Sequence, residues 1–196
     1  MTTPLILASG SPYRKALLER LGLPFEVLVG GVDESARPGE TPRELVTRLA
    51  GAKAAAVASL RDEACIIGSD QLAVCRDEVL GKPGSVERCI GQLLSCSGQV
   101  VEFLTAVAVI QPGSGATLLH LDSTRVHFKV LERREVERYV ALERPLDCAG
   151  GFKCEGLGIA LFESIRSEDP TALIGLPLIW LAGALRRAGL DPLADR

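Results

Sequence analysis

The first residues in this chain that could do chemistry are an acid at the end of an apolar run and a lysine returned beside it after a short excursion. Cys65-Ile66-Ile67 is short and β-branched and reads as a buried strand. The pattern predicts that this strand ends at Gly68-Ser69-Asp70-Gln71, where small and polar residues replace the apolar run. Leu72-Ala73-Val74 follows, Arg76-Asp77-Glu78 makes a polar turn, and Gly81-Lys82-Pro83 closes the stretch. Asp70 could hold a hard cation or take a proton from water, while Lys82 could neutralise phosphate oxygens. The plainer alternative is that Asp70 caps a turn and Lys82 is solvated.

A second candidate lies at the start. Leu5-Ile6-Leu7-Ala8 is an apolar strand, Ser9-Gly10-Ser11 a small-residue turn, and Pro12 opens a helix carrying Arg14 and Lys15 in its first turn. A helix N-terminus flanked by cations is an anion site, unless the first turn simply faces solvent. The third is the glycine-rich loop Pro145–Gly158, PLDCAGGFKCEGLG, whose backbone could approach a planar ligand closely. It lacks the spacing of a dinucleotide fingerprint. Asp33 and Glu34, in the polar loop before the second helix, could face a metal or merely solvate the loop; Lys53, alone on that helix, says nothing by itself.

The elements that must position these groups alternate. A strand is expected over Phe25–Val29, and a helix from Pro42 to about Ser59, capped by Thr41, with Leu45, Leu49, Ala52 and Ala56 on its apolar side. Ser85 opens a third helix through Cys96, Val100–Ile110 and Thr117–Lys129 read as a hairpin, and Glu132–Leu142 as a short helix. Ile159–Phe162 reads as a last short strand, and a broken apolar helix follows over Thr171–Ala188.

The 196 residues make one domain, or one with a lobe, and the 47% hydrophobic and 24% charged content is that of an ordinary globular protein. A net charge of −3 does not suggest non-specific nucleic-acid binding. Without a membrane-length apolar stretch or a basic segment leading into a signal core, the expected location is the cytoplasm. Cys65, Cys75, Cys89, Cys96, Cys148 and Cys154 form no CxxC pair and are too sparse for a disulfide framework; with only two histidines, a zinc site is poorly supported. A reactive thiol at Cys148 or Cys154 is an alternative with nothing nearby to activate it.

In order along the chain, LILASGSPYRKALLERLG, Val32-Asp33-Glu34, Lys53 within LAGAKA, IIGSDQ, LGKP and CAGGFKCEGLGI resemble the Maf family of nucleoside triphosphate pyrophosphatases over nearly the whole chain. Within it, the chain is similar to the YceF-like branch, which acts on 7-methylguanosine triphosphate. Tyr13, Ser69, Gln71 and Glu155 stand where the thymidine and uridine triphosphate branch carries other residues, while Asp70 is common to both. Lys15 replaces a common arginine, and Tyr13 an aromatic that is often tryptophan in this branch.

The resemblance implies an α/β fold as a single Maf-like domain over residues 1–196: a strongly twisted mixed sheet flanked by helices, with two lobes and a cleft between them. It implies Asp70 as the base that activates water and Tyr13, Gln71 and Glu155 as the positions that set base specificity. Ser9, Arg14, Lys53 and Lys82 would contact phosphate, and Glu34 with Asp70 would hold a divalent metal, Mg²⁺ or Mn²⁺. The expected partner is a nucleoside triphosphate, with no stable nucleic-acid or membrane binding; homodimers are frequent in the family. The rivals are a sibling pyrophosphatase for another canonical or modified nucleotide, and a nucleotide-binding regulator of cell division with little turnover.

Overall fold

The computed structural model describes residues 3–194. Strand order in the sheet is β2-β1-β3-β5-β6-β7, with a further short strand, β4, paired to β3. The strands are β1 (Leu5–Leu7), β2 (Glu26–Val27), β3 (Cys65–Cys75), β4 (Glu78–Leu80), β5 (Val100–Ile110), β6 (Thr117–Phe128) and β7 (Phe162–Arg166). Pairing is parallel between β1 and both β2 and β3, and antiparallel for β3–β4 and β6–β7, so the sheet is mixed. Among the described residues five α-helices accompany it: α1 (Pro12–Glu19), α2 (Pro42–Ala58), α3 (Val86–Ser95), α4 (Arg133–Glu143) and α5 (Leu178–Arg187). The α/β class is therefore the one expected, and no helix among these residues is long and apolar enough to cross a membrane.

The helix starts were legible because their caps are local. Ser11 accepts from the Arg14 N–H, Thr41 and Glu44 form a reciprocal capping box, and Ser85 accepts from Arg88. Pro12 and Pro42 occupy first helical positions, where a missing N–H costs nothing.

Four expectations are corrected. β3 does not stop at Gly68 but runs unbroken through Gly68-Ser69-Asp70-Gln71 to Cys75. Gly68 is there because α2 crosses it: a Cβ at that position would collide with the Ala50 carbonyl oxygen and come within 2.6 Å of the Ala54 nitrogen. That approach also sets the rotation of α2, which buries Val46, Ala50, Ala54 and Val57 with Leu45 and Leu49, leaving Ala52 and Ala56 partly exposed. So alanine-rich a helix offers no apolar stripe strong enough to choose a face. β2 is only two residues, because its partner β1 ends at Leu7 and the chain turns away. Finally, Leu157–Leu161 is a 3-10 turn, and the last strand begins at Phe162, where the ring joins a packed aromatic group.

The described chain divides into two compact units, residues 3–70, 105–122 and 169–194 in one and 71–104 and 123–168 in the other. The first is organised around Leu18, Ile67, Val107, Leu176, Leu181 and Leu185, all fully or almost fully buried. Each such side chain contributes about 1.5–3 kcal/mol by leaving water. The second is organised around Phe103, Phe128, Phe152 and Phe162, which meet edge to face at centroid distances of 4.7–5.6 Å.

The close crossing at Gly68 makes an asymmetric prediction. Gly68→Ala should lower stability by at least about 2 kcal/mol, because backbone rather than a flexible side chain meets the new methyl. Gly91→Ala, on α3 with nothing within 4 Å, should instead raise it by about 0.5–1 kcal/mol. Thermal denaturation of the two variants checks both signs.

Candidate active site

Lys53 projects from the middle of α2 between two acids. Its Nζ lies 2.7 Å from Asp70 Oδ1 and 2.7 Å from Glu34 Oε1. Asp70, only 8% exposed, is held in place by β3; Glu34 is largely exposed on the loop before α2. The two carboxylate oxygens are therefore no further apart than twice the ion-pair distance. Asp33, the other acid of that loop, caps the Ser35 N–H at 3.0 Å instead.

The loop that carries Glu34 is fastened by a pair that inspection of the sequence missed. Arg48 places Nε 2.6 Å from Glu40 Oε1, and its Nη2 donates to Glu40 Oε2 and to the Ser35 carbonyl, both at 2.9 Å. Glu40 also accepts from the Arg37 N–H at 3.0 Å. Chiefly through the Arg48 hydrogen bond, then that of Arg37, the Glu40 carboxyl is held down at about 2. The i, i+8 spacing of Glu40 and Arg48 spans a helix cap, so no helical or strand periodicity signals it.

Arg14 completes this part of the site. Its Nη1 donates to Ser9 Oγ at 3.1 Å and its Nε to the Gly175 carbonyl at 3.1 Å. Burial pulls the guanidinium below its ordinary value, while Asp70 and then Glu34 pull it back up, so the arginine shares their electrostatic environment. Lys15 does not join it. That side chain is exposed and lies 3.9 Å from Glu19 on the following turn. Tyr13 is half-buried on the same first turn of α1 as Arg14. The first unit thus gathers Ser9, Arg14, Glu34, Lys53 and Asp70.

The remaining expected residues belong to the second unit. Gln71 follows Asp70 on β3 and is partly buried. Lys82 is exposed between β4 and α3, in a loop pinned by Gln92 donating to the Gly81 carbonyl at 3.2 Å and Gly84 donating to that of Leu146 at 3.0 Å. Glu155 is exposed in the glycine-rich loop, its Oε2 3.4 Å from Cys154 Sγ. Phe152 anchors that loop in the aromatic core, Tyr139 Oη accepts from the Lys153 N–H at 2.9 Å, and Glu143 accepts from the Leu157 N–H at 2.9 Å. Gly158 lies against the Lys153 backbone, where a Cβ would not fit, and a Cβ at Gly156 would push the Glu143 carboxylate aside.

Burial, then the Glu155 charge, pushes the Cys154 thiol up to about 12, which leaves almost no thiolate at neutral pH. A hollow of about 970 Å³ lined by Arg37, Arg43, Ala52, Ala55, Leu119 and Leu121, among others, includes none of the expected residues. Among the described residues no three His, Cys, Asp or Glu side chains gather as a ready metal cage. Glu34 and Asp70 converge on the Lys53 ammonium; as ligand types they suit Mg²⁺, which typically takes one or two carboxylates and completes its shell with phosphate oxygens and water.

The Maf-like protein family matches residues 4–188. The chain belongs to the Maf family. A relative from Xanthomonas campestris pv. campestris strain 8004, named 7-methyl-GTP pyrophosphatase, is 55% identical over 97% of this chain and 99% of its own. One of the same name from Alkalilimnicola ehrlichii is 54% identical over 95% of this chain and 94% of its own. Among solved structures, the Staphylococcus aureus Ham1 protein aligns with a TM-score of 0.48 and 15% identity, over 80% of this chain and 90% of that one. The match to the Maf family agrees with the family named from LILASGSPYRKALLERLG, IIGSDQ and LGKP.

The Glu40–Arg48 clamp carries a pH signature. Glu40 has a folded value of about 2 against an ordinary 4.5, so its contribution to stability is complete above pH 4.5 and is lost as pH falls through about 2. Glu40→Gln should therefore flatten the stability profile between about pH 4.5 and pH 2, compared with wild type, in urea titrations across that range.

Proposed function

We propose that this Maf-family chain hydrolyses the α–β phosphoanhydride of 7-methyl-GTP, releasing 7-methyl-GMP and diphosphate. The observation that carries the substrate is the shared name of relatives 54–55% identical over at least 94% of both partners. The geometry around Lys53 supports the chemistry.

A triphosphate is strongly anionic, and Ser9, Arg14, Lys53 and Lys82 are the groups assigned to it. Arg14 contributes a planar fork, and the lysines contribute compact charges. Lys53 is shared by Glu34 and Asp70. Phosphate oxygens compete for the ammonium, which releases the carboxylates. Glu34 and Asp70 would then hold Mg²⁺ or Mn²⁺, which supplies Lewis-acid polarisation of the phosphoryl group when bound. Asp70, fixed on a strand with little freedom to move, takes the proton from the attacking water. Glu155 and Gln71 read the edge of the base and Tyr13 offers an aromatic face. A ring-methylated guanine is cationic, so a carboxylate and a π face are its natural partners.

The deciding experiment is a panel of 7-methyl-GTP, GTP, dTTP and UTP with Mg²⁺ and Mn²⁺, scored by diphosphate release. Preference for 7-methyl-GTP is expected; absence of turnover on it rejects the substrate. In the same assay Asp70→Asn should lower turnover by roughly 10²–10⁴-fold while nucleotide binding persists. Glu155→Gln should lower kcat/KM for 7-methyl-GTP at least about tenfold more than for dTTP, since it removes the negative charge that a cationic ring would favour. Equal losses across the panel would remove Glu155 from base recognition.

A further inference from the structure

The segment from Asp169 to Ile179 ties itself into a knot beside Arg14. Asp169 is 4% exposed. Its Oδ1 accepts from the Thr171 N–H at 2.8 Å and lies 2.6 Å from Thr171 Oγ1, while Oδ2 accepts from the Ile179 N–H at 2.7 Å. Thr171 Oγ1 in turn accepts from the Leu178 N–H at 2.9 Å and lies 2.7 Å from the Leu176 carbonyl, so its one proton goes to either neighbour. From β5, Thr105 Oγ1 donates to the Ala172 carbonyl at 2.9 Å. These bonds enclose Gly175, whose φ of 129° is outside the range that side-chain-bearing residues readily adopt. Its carbonyl accepts from Ser69 Oγ at 2.9 Å and from Arg14 Nε at 3.1 Å.

We propose that Gly175, held by Asp169 and Thr171, is a positioning residue that sets the plane of the Arg14 guanidinium for phosphate. The inference rests on Arg14 being a phosphate contact, as argued above. A cation in the first turn of α1 opposes the helix dipole and needs a reason to stay there. Both of its anchors, a backbone carbonyl and the Ser9 hydroxyl, are neutral. They direct the guanidinium without discharging it, in contrast to Lys53, whose charge two carboxylates share. Two of the five guanidinium N–H groups are used in this way, and the others stay available to an anion. Beyond its φ, a Cβ at 175 would crowd Arg14, 3.2 Å from Cγ and 3.3 Å from Nε, so the arginine would have to shift by a few tenths of an ångström. Ser69, adjacent to Asp70 on β3, holds the same carbonyl, so one backbone oxygen sets the guanidinium relative to the strand that carries the base.

The test is a double-mutant cycle on the full chain, with diphosphate release from 7-methyl-GTP as the readout and thermal melting as a check of folding. Thr171→Val should lower kcat/KM by about 10–100-fold, mostly through KM, and Thr171→Ser should restore most of it. In an Arg14→Ala background, Thr171→Val should change kcat/KM by no more than about twofold, because the residue it acts through is gone. If the two losses multiply independently, the positioning role is wrong, although Arg14 keeps its place at the phosphates. If Arg14→Ala alone has wild-type kinetics, the phosphate assignment itself fails and the proposal falls with it. Should Thr171→Val not fold, Ser69→Ala replaces it in the cycle, removing the other donor to the Gly175 carbonyl, with the same criterion of non-additivity.

Discussion

One ammonium between two carboxylates is the contact around which the charged groups of the first unit are arranged. Asp70 and Glu34 would repel at their separation, and Asp70 is nearly removed from water; Lys53, 2.7 Å from each, makes both charges tolerable. The arrangement demands that α2 lie almost on the backbone of β3, and Gly68 is what permits it. A side chain at Gly68 would lift the helix and carry Lys53 away from the strand. The glycine two residues before Asp70 therefore matters as much to the site as the acid.

Each charged group is restrained by a different device. Asp70 is fixed by the sheet, and Glu34 rides on a loop clamped by the Arg48 fork onto Glu40. Arg14 is directed by two neutral oxygens, the Gly175 carbonyl and the Ser9 hydroxyl. In the second unit the same end is met without charge pairing: Phe152 in an aromatic core, Tyr139 and Glu143 on backbone N–H groups, and Gly158 where nothing larger fits. The result is an exposed Glu155 on a loop with little slack.

The helix starts and the strands β1, β5 and β6 were legible in the sequence because caps, prolines and runs of β-branched residues act over a few neighbours. Asp70, Lys82 and the glycine loop could be picked out for the same reason: each interrupts a local pattern. Lys53 could not. On an alanine-rich helix nothing in the sequence distinguishes the face toward β3 from the face toward solvent, and the choice falls to the crossing at Gly68.

By itself, the sequence determined the class of fold, the family and the residue types available for a strongly anionic substrate. Tertiary structure alone decided that β3 continues through Asp70, that Lys53 is shared by two acids, and that Arg14 turns to Gly175 while Lys15 turns to Glu19. The Arg14–Gly175 bond joins residues 161 positions apart and the Lys53–Asp70 pair residues 17 apart. Such contacts have no period along the chain. They exist because packed backbones leave room at one glycine and a carbonyl at another, which no window of neighbouring residues encodes.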